Sequence, residues 1–315
     1  MPEGAHPHRD LGRWRGQTYY GRPQLKPAPF NNALVGSYVF LAGLSGAAQL
    51  LTTLLDLTRP RSAASAVRRG RYLSLLAPTI GAACLIADLH TPQRFYNMLR
   101  IFKSTSPMSI GSWLLVLFSA TAIPTGFVQF LADRFRWHGW SRGLASALQI
   151  PASLTGAGLS TYTASLFSAT SSPAWASTPK ALAVRFGAAS VASAAAAMSL
   201  GEGHRQTGRD LDAIAVAALA VELAATLESD ERQRRDGIRS EGSTAHIVGI
   251  ALPLGLFLVS QLWPRRRSRT LSALGSLATL GASLAMRVGV MQEGDESARR
   301  PEISMRFAQP GNLPH

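Results

Sequence analysis

The sequence predicts an all-α polytopic membrane protein, a bundle of about eight transmembrane helices. Only 16% of its 315 residues are charged and 46% are hydrophobic, whereas about a quarter of the residues of soluble proteins are charged. The charges are also clustered, which leaves uncharged runs at 27–55, 104–132, 143–179 and 242–264. Such runs are long enough to span a membrane, because about 20 helical residues cross ~30 Å of hydrocarbon. Disorder, a disulfide-bonded secreted scaffold and a soluble enzyme are therefore excluded.

Charged residues and prolines that bound the apolar runs divide the chain into eight predicted spans. These lie at about 33–57, 72–89, 109–131, 144–168, 181–200, 210–228, 244–263 and 270–291. Span five is rich in alanine and serine, small residues that favour close packing of membrane helices. Span six carries Asp210, Asp212 and Glu222. We expect the two aspartates in its first turn, where the positive end of the helix stabilises them.

The spans form one predicted membrane domain over 33–291, between a polar tail at 1–32 and another at 292–315. The connector 90–108 is amphipathic and is expected to lie at the membrane interface. The net charge of +14 arises from basic residues between spans, which favours contact with lipid headgroups over nucleic acid. The connectors after the odd-numbered spans hold 14 Lys and Arg, against 9 in the others when Arg185, near the start of span five, is counted. The positive-inside rule then predicts periplasmic termini in a bacterial inner membrane.

Polar residues within the predicted spans are candidates for function, because burying them in a bilayer is costly. Asp88 closes span two, where it is either solvated, paired with Arg94, or a proton acceptor for a redox ligand. Glu222, alone in an apolar stretch, is either hydrogen-bonded to a neighbouring helix or part of a proton path. Tyr162 either bonds a neighbouring helix or donates to a quinone carbonyl. Arg287, near the end of span eight, is expected to extend towards the headgroups.

Haem and metal sites are not predicted. Haem b needs axial histidines that face each other within a bundle, and none of the seven histidines forms such a pair at matched interior depth. The single cysteine, Cys84, can neither form an internal disulfide nor hold an iron–sulfur cluster alone. The chain also lacks a phosphate-binding loop, a HExxH helix and a nucleophile elbow.

Three segments carry a resemblance to a known family. They are Asp-Leu-His-Thr-Pro-Gln-Arg-Phe at 88–95, Ser-Pro-Met-Ser-Ile-Gly-Ser-Trp at 106–113, and Tyr-Thr-Ala at 162–164 followed by Pro173 and Trp175. Their order and spacing resemble the NrfD family, membrane subunits of polysulfide reductase-type oxidoreductase complexes. His90 and Thr91 depart from the pattern, since relatives commonly have Gly-Arg there.

The resemblance implies a membrane anchor that binds a quinone, menaquinone or ubiquinone, and holds no haem or metal of its own. It also implies a ferredoxin-like iron–sulfur partner subunit, which serves a molybdopterin or multihaem cytochrome catalytic subunit. The implied proton-handling residues are Asp88 and His90. The implied quinone-binding residues are Asn31, Asn32, Tyr38, Arg94 and Tyr162.

Two other functions remain open at this point. Glu222 and the prolines inside spans, Pro124, Pro151 and Pro253, are compatible with an ion- or proton-translocating, transporter-like subunit in which Glu222 belongs to the proton path. A purely structural anchor is the third possibility.

Overall fold

The computed structural model describes residues 25–135, 140–236, 238, 242–262, 268–301 and 303–304. Every regular element within these residues is helical. The elements are α1 (Asn32–Thr58), α2 (Ala64–Leu73), a π-helical turn (Ala77–Gly81), α3 (Ala82–Ala87), a 3-10 helix (Pro92–Leu99), α4 (Pro107–Phe135), α5 (Trp140–Ser168), α6 (Pro173–Ala176), α7 (Pro179–Ser199), α8 (Arg205–Arg235), α9 (Ser243–Leu262) and α10 (Arg269–Arg299). The predicted all-α architecture is confirmed.

Eight long helical segments are present in the described part of the chain, because α2, the π-helical turn and α3 form one span. Six of the eight are long and apolar enough to cross a membrane by themselves: α1, the segment Ala64–Ala87, α4, α7, α9 and α10. Helices α5 and α8 are longer than most, with 29 and 31 residues, but they are more polar. They pack along their neighbours α4 and α7, so they belong to the same bundle.

Helix α1 lies at the centre of the bundle. It contacts α2, the π-helical turn, α3 and α5 on one side and α7 and α10 on the other. Small residues allow this close packing: a Cβ atom added to Gly46 would lie 2.2 Å from the carbonyl oxygen of Gly156 on α5. Helices α8 and α9 pack on α7 and α10. We call these four helices the second group.

The start of α1 lies at the same end of the bundle as the ends of α3 and α10, because Asn31 bonds Asp88 and Asn32 bonds Asp295. We call this end the N-face. At the opposite face, α2 is tied to the start of α8 by the ion pair between Arg69 and Glu202.

The second span begins earlier than the sequence predicts. Helix α2 starts at Ala64, so Arg71 lies inside the span and is only 3% exposed. Burial is possible because Nη2 of Arg71 forms an ion pair with Oδ2 of Asp56 at 3.0 Å. The guanidinium also donates to the side chains of Gln149, at 3.0 and 3.2 Å, and Gln129, at 2.8 Å.

A break within the second span is repaired by α1. Pro78 cannot donate a backbone hydrogen bond, and the chain forms a π-helical turn around it. The hydroxyl of Ser45 donates to the carbonyl oxygen of Leu73 at 3.1 Å and accepts from the amide of Ala77 at 2.9 Å. These two bonds satisfy backbone groups that a regular helix would have paired internally.

Candidate functional site

The carboxylate of Asp88 lies against the start of α1. Its Oδ1 atom accepts a hydrogen bond of 2.8 Å from the backbone amide of Asn31. The Asn31 side chain caps α1, since its Oδ1 accepts from the amides of Ala33 and Leu34 at 3.0 and 3.1 Å. The positive end of the helix favours a carboxylate at this position. Asp88 is thus bound by a backbone amide 57 residues away in sequence.

Asn32, the next residue, binds a second carboxylate. Its Nδ2 atom donates to Oδ2 of Asp295 at 3.0 Å. Asp295 is not among the residues predicted from the sequence, where it falls within the predicted polar tail. Helix α10 instead continues to Arg299, and this places Asp295 beside α1. No local sequence pattern could have indicated the pairing, because 263 residues separate the two partners.

Two tyrosines, Tyr38 on α1 and Tyr162 on α5, lie deeper in the bundle. Tyr38 is buried in the core formed by α1, α4, α5, α7 and α10, and Tyr162 packs against this core. Their side chains are close enough to interact electrostatically. The Tyr162 ring covers Gly111 so closely that a Cβ atom there would lie 1.9 Å from the ring. Two of the segments singled out in the sequence therefore meet at this contact.

His90 and Arg94 lie on the surface segment that follows Asp88, and both are exposed. They follow Asp88 closely in the chain but are not brought into the buried tyrosine region. The 3-10 helix of this segment also exposes apolar side chains. Those most exposed around it are Phe95, Tyr96, Leu99, Ile101 and Phe102. This amphipathic surface agrees with the predicted interfacial connector.

Glu222 lies apart from these residues, on α8 in the second group of helices, and is only 3% exposed. Among the described residues, none forms a hydrogen bond with its carboxylate. It interacts electrostatically with Arg185 and Arg287. Arg185 donates to Nδ1 of His246 at 2.8 Å, and that nitrogen lies 3.7 Å from Oε1 of Glu293.

Arg287 does not extend to the headgroups, contrary to expectation. It is 1% exposed and donates from Nη2 to the hydroxyl of Ser190 at 2.8 Å and the carbonyl oxygen of Phe186 at 3.3 Å. Its guanidinium also lies over the rings of Phe40 and Phe186, 5.9 and 5.4 Å from their centroids. The surrounding acceptors and aromatic faces replace the hydration that the headgroup region would have supplied.

Asp212 also differs from its predicted placement. Because α8 starts at Arg205, Asp212 lies beyond the first turn and is fully buried. It is stabilised there by the hydroxyls of Ser199 and Ser272, which donate to Oδ1 at 2.6 and 2.9 Å.

A small cavity lies near the N-face end of the second group. Its volume is about 20 Å³, enough for a single water molecule. Its lining is formed by Ala174, Gln233, Ile238, Glu293, Glu296, Ser297, Arg300 and Ile303. The cavity thus reaches Glu293 but not the tyrosine region. Within the described residues, no group of three or more His, Cys, Asp or Glu side chains is arranged to hold a metal ion.

A comparison with protein families gives one match. The family model described as polysulphide reductase, NrfD, matches residues 23–226, about two thirds of the chain. The matched region contains all three segments singled out in the sequence as well as Glu222, and it ends before α9. No curated protein matches the chain.

Proposed function

The chain belongs to the polysulphide reductase NrfD family, and from this premise we propose that it passes electrons between the quinone pool and an iron–sulfur subunit. Membership makes it a multi-pass membrane subunit of a polysulfide reductase-like complex. The proposal adds a quinone, menaquinone or ubiquinone, as the bound substrate. Asp88 and His90 exchange its protons, while Asn31, Asn32, Tyr38, Arg94 and Tyr162 form the surroundings that bind it.

The convergence of Asp88, Asn31 and Asn32 at the start of α1 is the observation that supports the proposal most. Quinone reduction and quinol oxidation each require two protons and two electrons at one place. A carboxylate positioned at the N-face supplies a proton acceptor, and the hydroxyls of Tyr38 and Tyr162 supply donors for quinone carbonyls. Hydrogen-bonding groups of both kinds are therefore available at one end of the bundle.

The N-face is also the surface proposed to meet the partners. The exposed segment around the 3-10 helix combines apolar side chains with the cations Arg94, Arg100 and Lys103. A ferredoxin-like iron–sulfur subunit bound here would lie close to Asp88, so that electrons would have a short distance to travel. That subunit would serve a molybdopterin or multihaem cytochrome catalytic subunit. The proposal puts the N-face and both termini on the periplasmic side of a bacterial inner membrane, which the distribution of basic residues between the spans favours.

The Asp88→Asn variant of the assembled complex tests this function. Because the amide cannot take up a proton as the carboxylate does, we expect quinone-linked turnover to fall by about a hundredfold to ten-thousandfold. Activity with an artificial dye that reacts at the catalytic subunit should be retained. Glu228→Gln, which alters an exposed carboxylate on α8, serves as the matched control. Equal loss of quinone-linked and dye activity in Asp88→Asn would contradict the role.

Proton translocation is the second candidate function, and the setting of Glu222 favours it. The carboxylate is buried between two buried arginines. The hydroxyls of Ser193 on α7 and Ser276 on α10 are also buried and have no hydrogen-bond partner among the described residues. Buried polar groups without partners are typical of sites that take up water. A hydrated path from Glu222 along α7, α8 and α10 would use these groups.

Reconstituted vesicles distinguish this second function. The complex is placed in liposomes that contain a pH-sensitive dye. The pH change during turnover then has one part from quinone chemistry and one from proton translocation. Glu222→Gln should abolish the second part and leave the first. Glu228→Gln should leave them unchanged. Identical pH changes in both variants would exclude Glu222 from a proton path.

A further inference from the structure

The hydrogen bonding of the half-buried pair formed by Asn32 and Asp295 is incomplete. Asn32 uses its amide nitrogen to donate to Oδ2 of Asp295. Its own Oδ1 and the Oδ1 of Asp295 are both shielded from solvent and lack a hydrogen-bond partner among the described residues. Asp295 as a whole is only 9% exposed. Leaving a shielded acceptor unpaired is costly, so the two oxygens mark a position suited to a hydrogen-bond donor.

A group that completes this pair must donate hydrogen bonds to the two Oδ1 atoms. An ionised carboxylate only accepts hydrogen bonds, and its contact with Asn32 requires that the amide present its nitrogen to Asp295. The free Asn32 atom is consequently the carbonyl oxygen, which is also an acceptor. A quinone has carbonyl groups and donates nothing, whereas a quinol has two hydroxyls. A hydroxyl of the quinol can therefore complete this pair.

The position of the pair fits the proposed quinone site. Asn31 and Asn32 are consecutive residues, with Cα atoms about 3.8 Å apart, and each binds a carboxylate: Asp88 from α3 and Asp295 from α10. Both carboxylates thus lie at the start of α1. Asp295 lies beyond the residues that match the family model, so its assignment rests on this chain's geometry.

We propose that Asp295 is a second proton-accepting residue of the site when a quinol is oxidised there. This inference rests on the proposed quinone-linked function. One quinol hydroxyl donates to Asp295, whose orientation Asn32 fixes. During oxidation the quinol loses two electrons and two protons. One proton passes to the Asp88 carboxylate, from which the exposed His90 takes it to the surface, and the other passes to the Asp295 carboxylate. Both electrons pass to the iron–sulfur cluster of the partner subunit, and the hydroxyls become the carbonyls of the quinone.

The Asp295→Asn variant of the assembled complex is the primary test, with a short-chain quinol and the corresponding quinone as probes. We expect quinol-dependent turnover to fall at least tenfold, with the loss in kcat as well as KM, while the Kd of the quinone changes less than twofold. Asp295→Glu, which keeps a carboxylate, should recover part of the turnover. Glu296→Gln, an exposed neighbour on the same helix, should behave as the wild type.

Two results would overturn the inference. Unchanged quinol kinetics in Asp295→Asn would show that a water molecule alone fills the position. Equal loss of quinol turnover and quinone affinity would show a merely structural role. A measurement on the wild type covers the case in which Asp295→Asn does not assemble: redox-induced infrared difference spectra should show two carboxylates that gain protons when quinol is oxidised. A single protonated carboxylate would overturn the assignment.

The outcome is distinguishable from failure of the proposed function itself. If the wild type neither binds nor oxidises quinol, the function fails and Asp295 has no substrate to act on. If the wild type oxidises quinol and Asp88→Asn impairs it while Asp295→Asn does not, only the role of Asp295 is refuted.

Discussion

Replacement of Gly111 by alanine is the most direct way to test whether the position of Tyr162 matters. A Cβ atom on Gly111 would lie 1.9 Å from Cζ and 2.0 Å from the hydroxyl oxygen of Tyr162. Ordinary contacts of a Cβ atom begin at 3.4 Å, so the ring must retreat by about 1.5 Å, the difference between 3.4 and 1.9 Å. Since a 1 Å misplacement can cost about a hundredfold in rate, quinone-linked turnover should fall tenfold to a hundredfold.

The matched control is Gly255→Ala, because a Cβ atom at that position on α9 meets nothing within 4 Å. Both variants should assemble and keep dye activity. In Gly111→Ala the only atoms that must move belong to the far end of the Tyr162 side chain. Turnover would be measured with short-chain quinol in purified complex. Equal turnover in Gly111→Ala and Gly255→Ala would refute the argument that Tyr162 must lie where it does.

Three further substitutions test the bundle itself, the first two by thermal unfolding in detergent and the third by the yield of assembled complex. Ser45→Ala removes both bonds at the break in the second span and should cost about 1–3 kcal/mol, whereas Thr58→Ala, at an exposed hydroxyl, should be nearly neutral. Arg71→Met leaves a carboxylate buried and should cost about 3–5 kcal/mol, and adding Asp56→Leu should restore most of the loss. Gly46→Ala should prevent assembly, because its Cβ atom would meet a backbone carbonyl oxygen on α5 at 2.2 Å; recovery of normal amounts of complex would contradict the tight crossing.

The arrangement of the spans could be predicted from sequence because the bilayer constrains it simply. An uncharged run of sufficient length predicts a span, and eight long helices appear in the described part of the chain. The predicted boundaries of the spans were less accurate where charged residues lie inside a span. Arg71 was expected to precede the second span, yet Asp56 and two glutamines provide it with partners. The hydropathy of a segment gives no information about ion-pair or hydrogen-bond partners on another helix.

The candidate site could be predicted in part. The segment at 88–95 indicated Asp88, and the segment at 106–113 contains the glycine that Tyr162 covers. Asp295 was missed because its partner on α1 is distant in sequence and because the residues after 291 look like a polar tail. The interior position of Arg287 was missed for a similar reason: its acceptors lie on α7, about a hundred residues earlier.

Helix α1 provides the physical connection between the two proposed activities. Its first turn binds Asp88 and Asp295, and about 16 Å further along, at 1.5 Å per residue, Gly43 lies beside the guanidinium of Arg287. Arg287 in turn interacts with Glu222. A shift of α1 on quinol oxidation would therefore change the surroundings of the buried charges Glu222 on α8 and Arg287 on α10. If the two groups of helices are coupled in this way, Glu222→Gln should slow quinol oxidation in sealed vesicles; if they act independently, it should change only the proton signal.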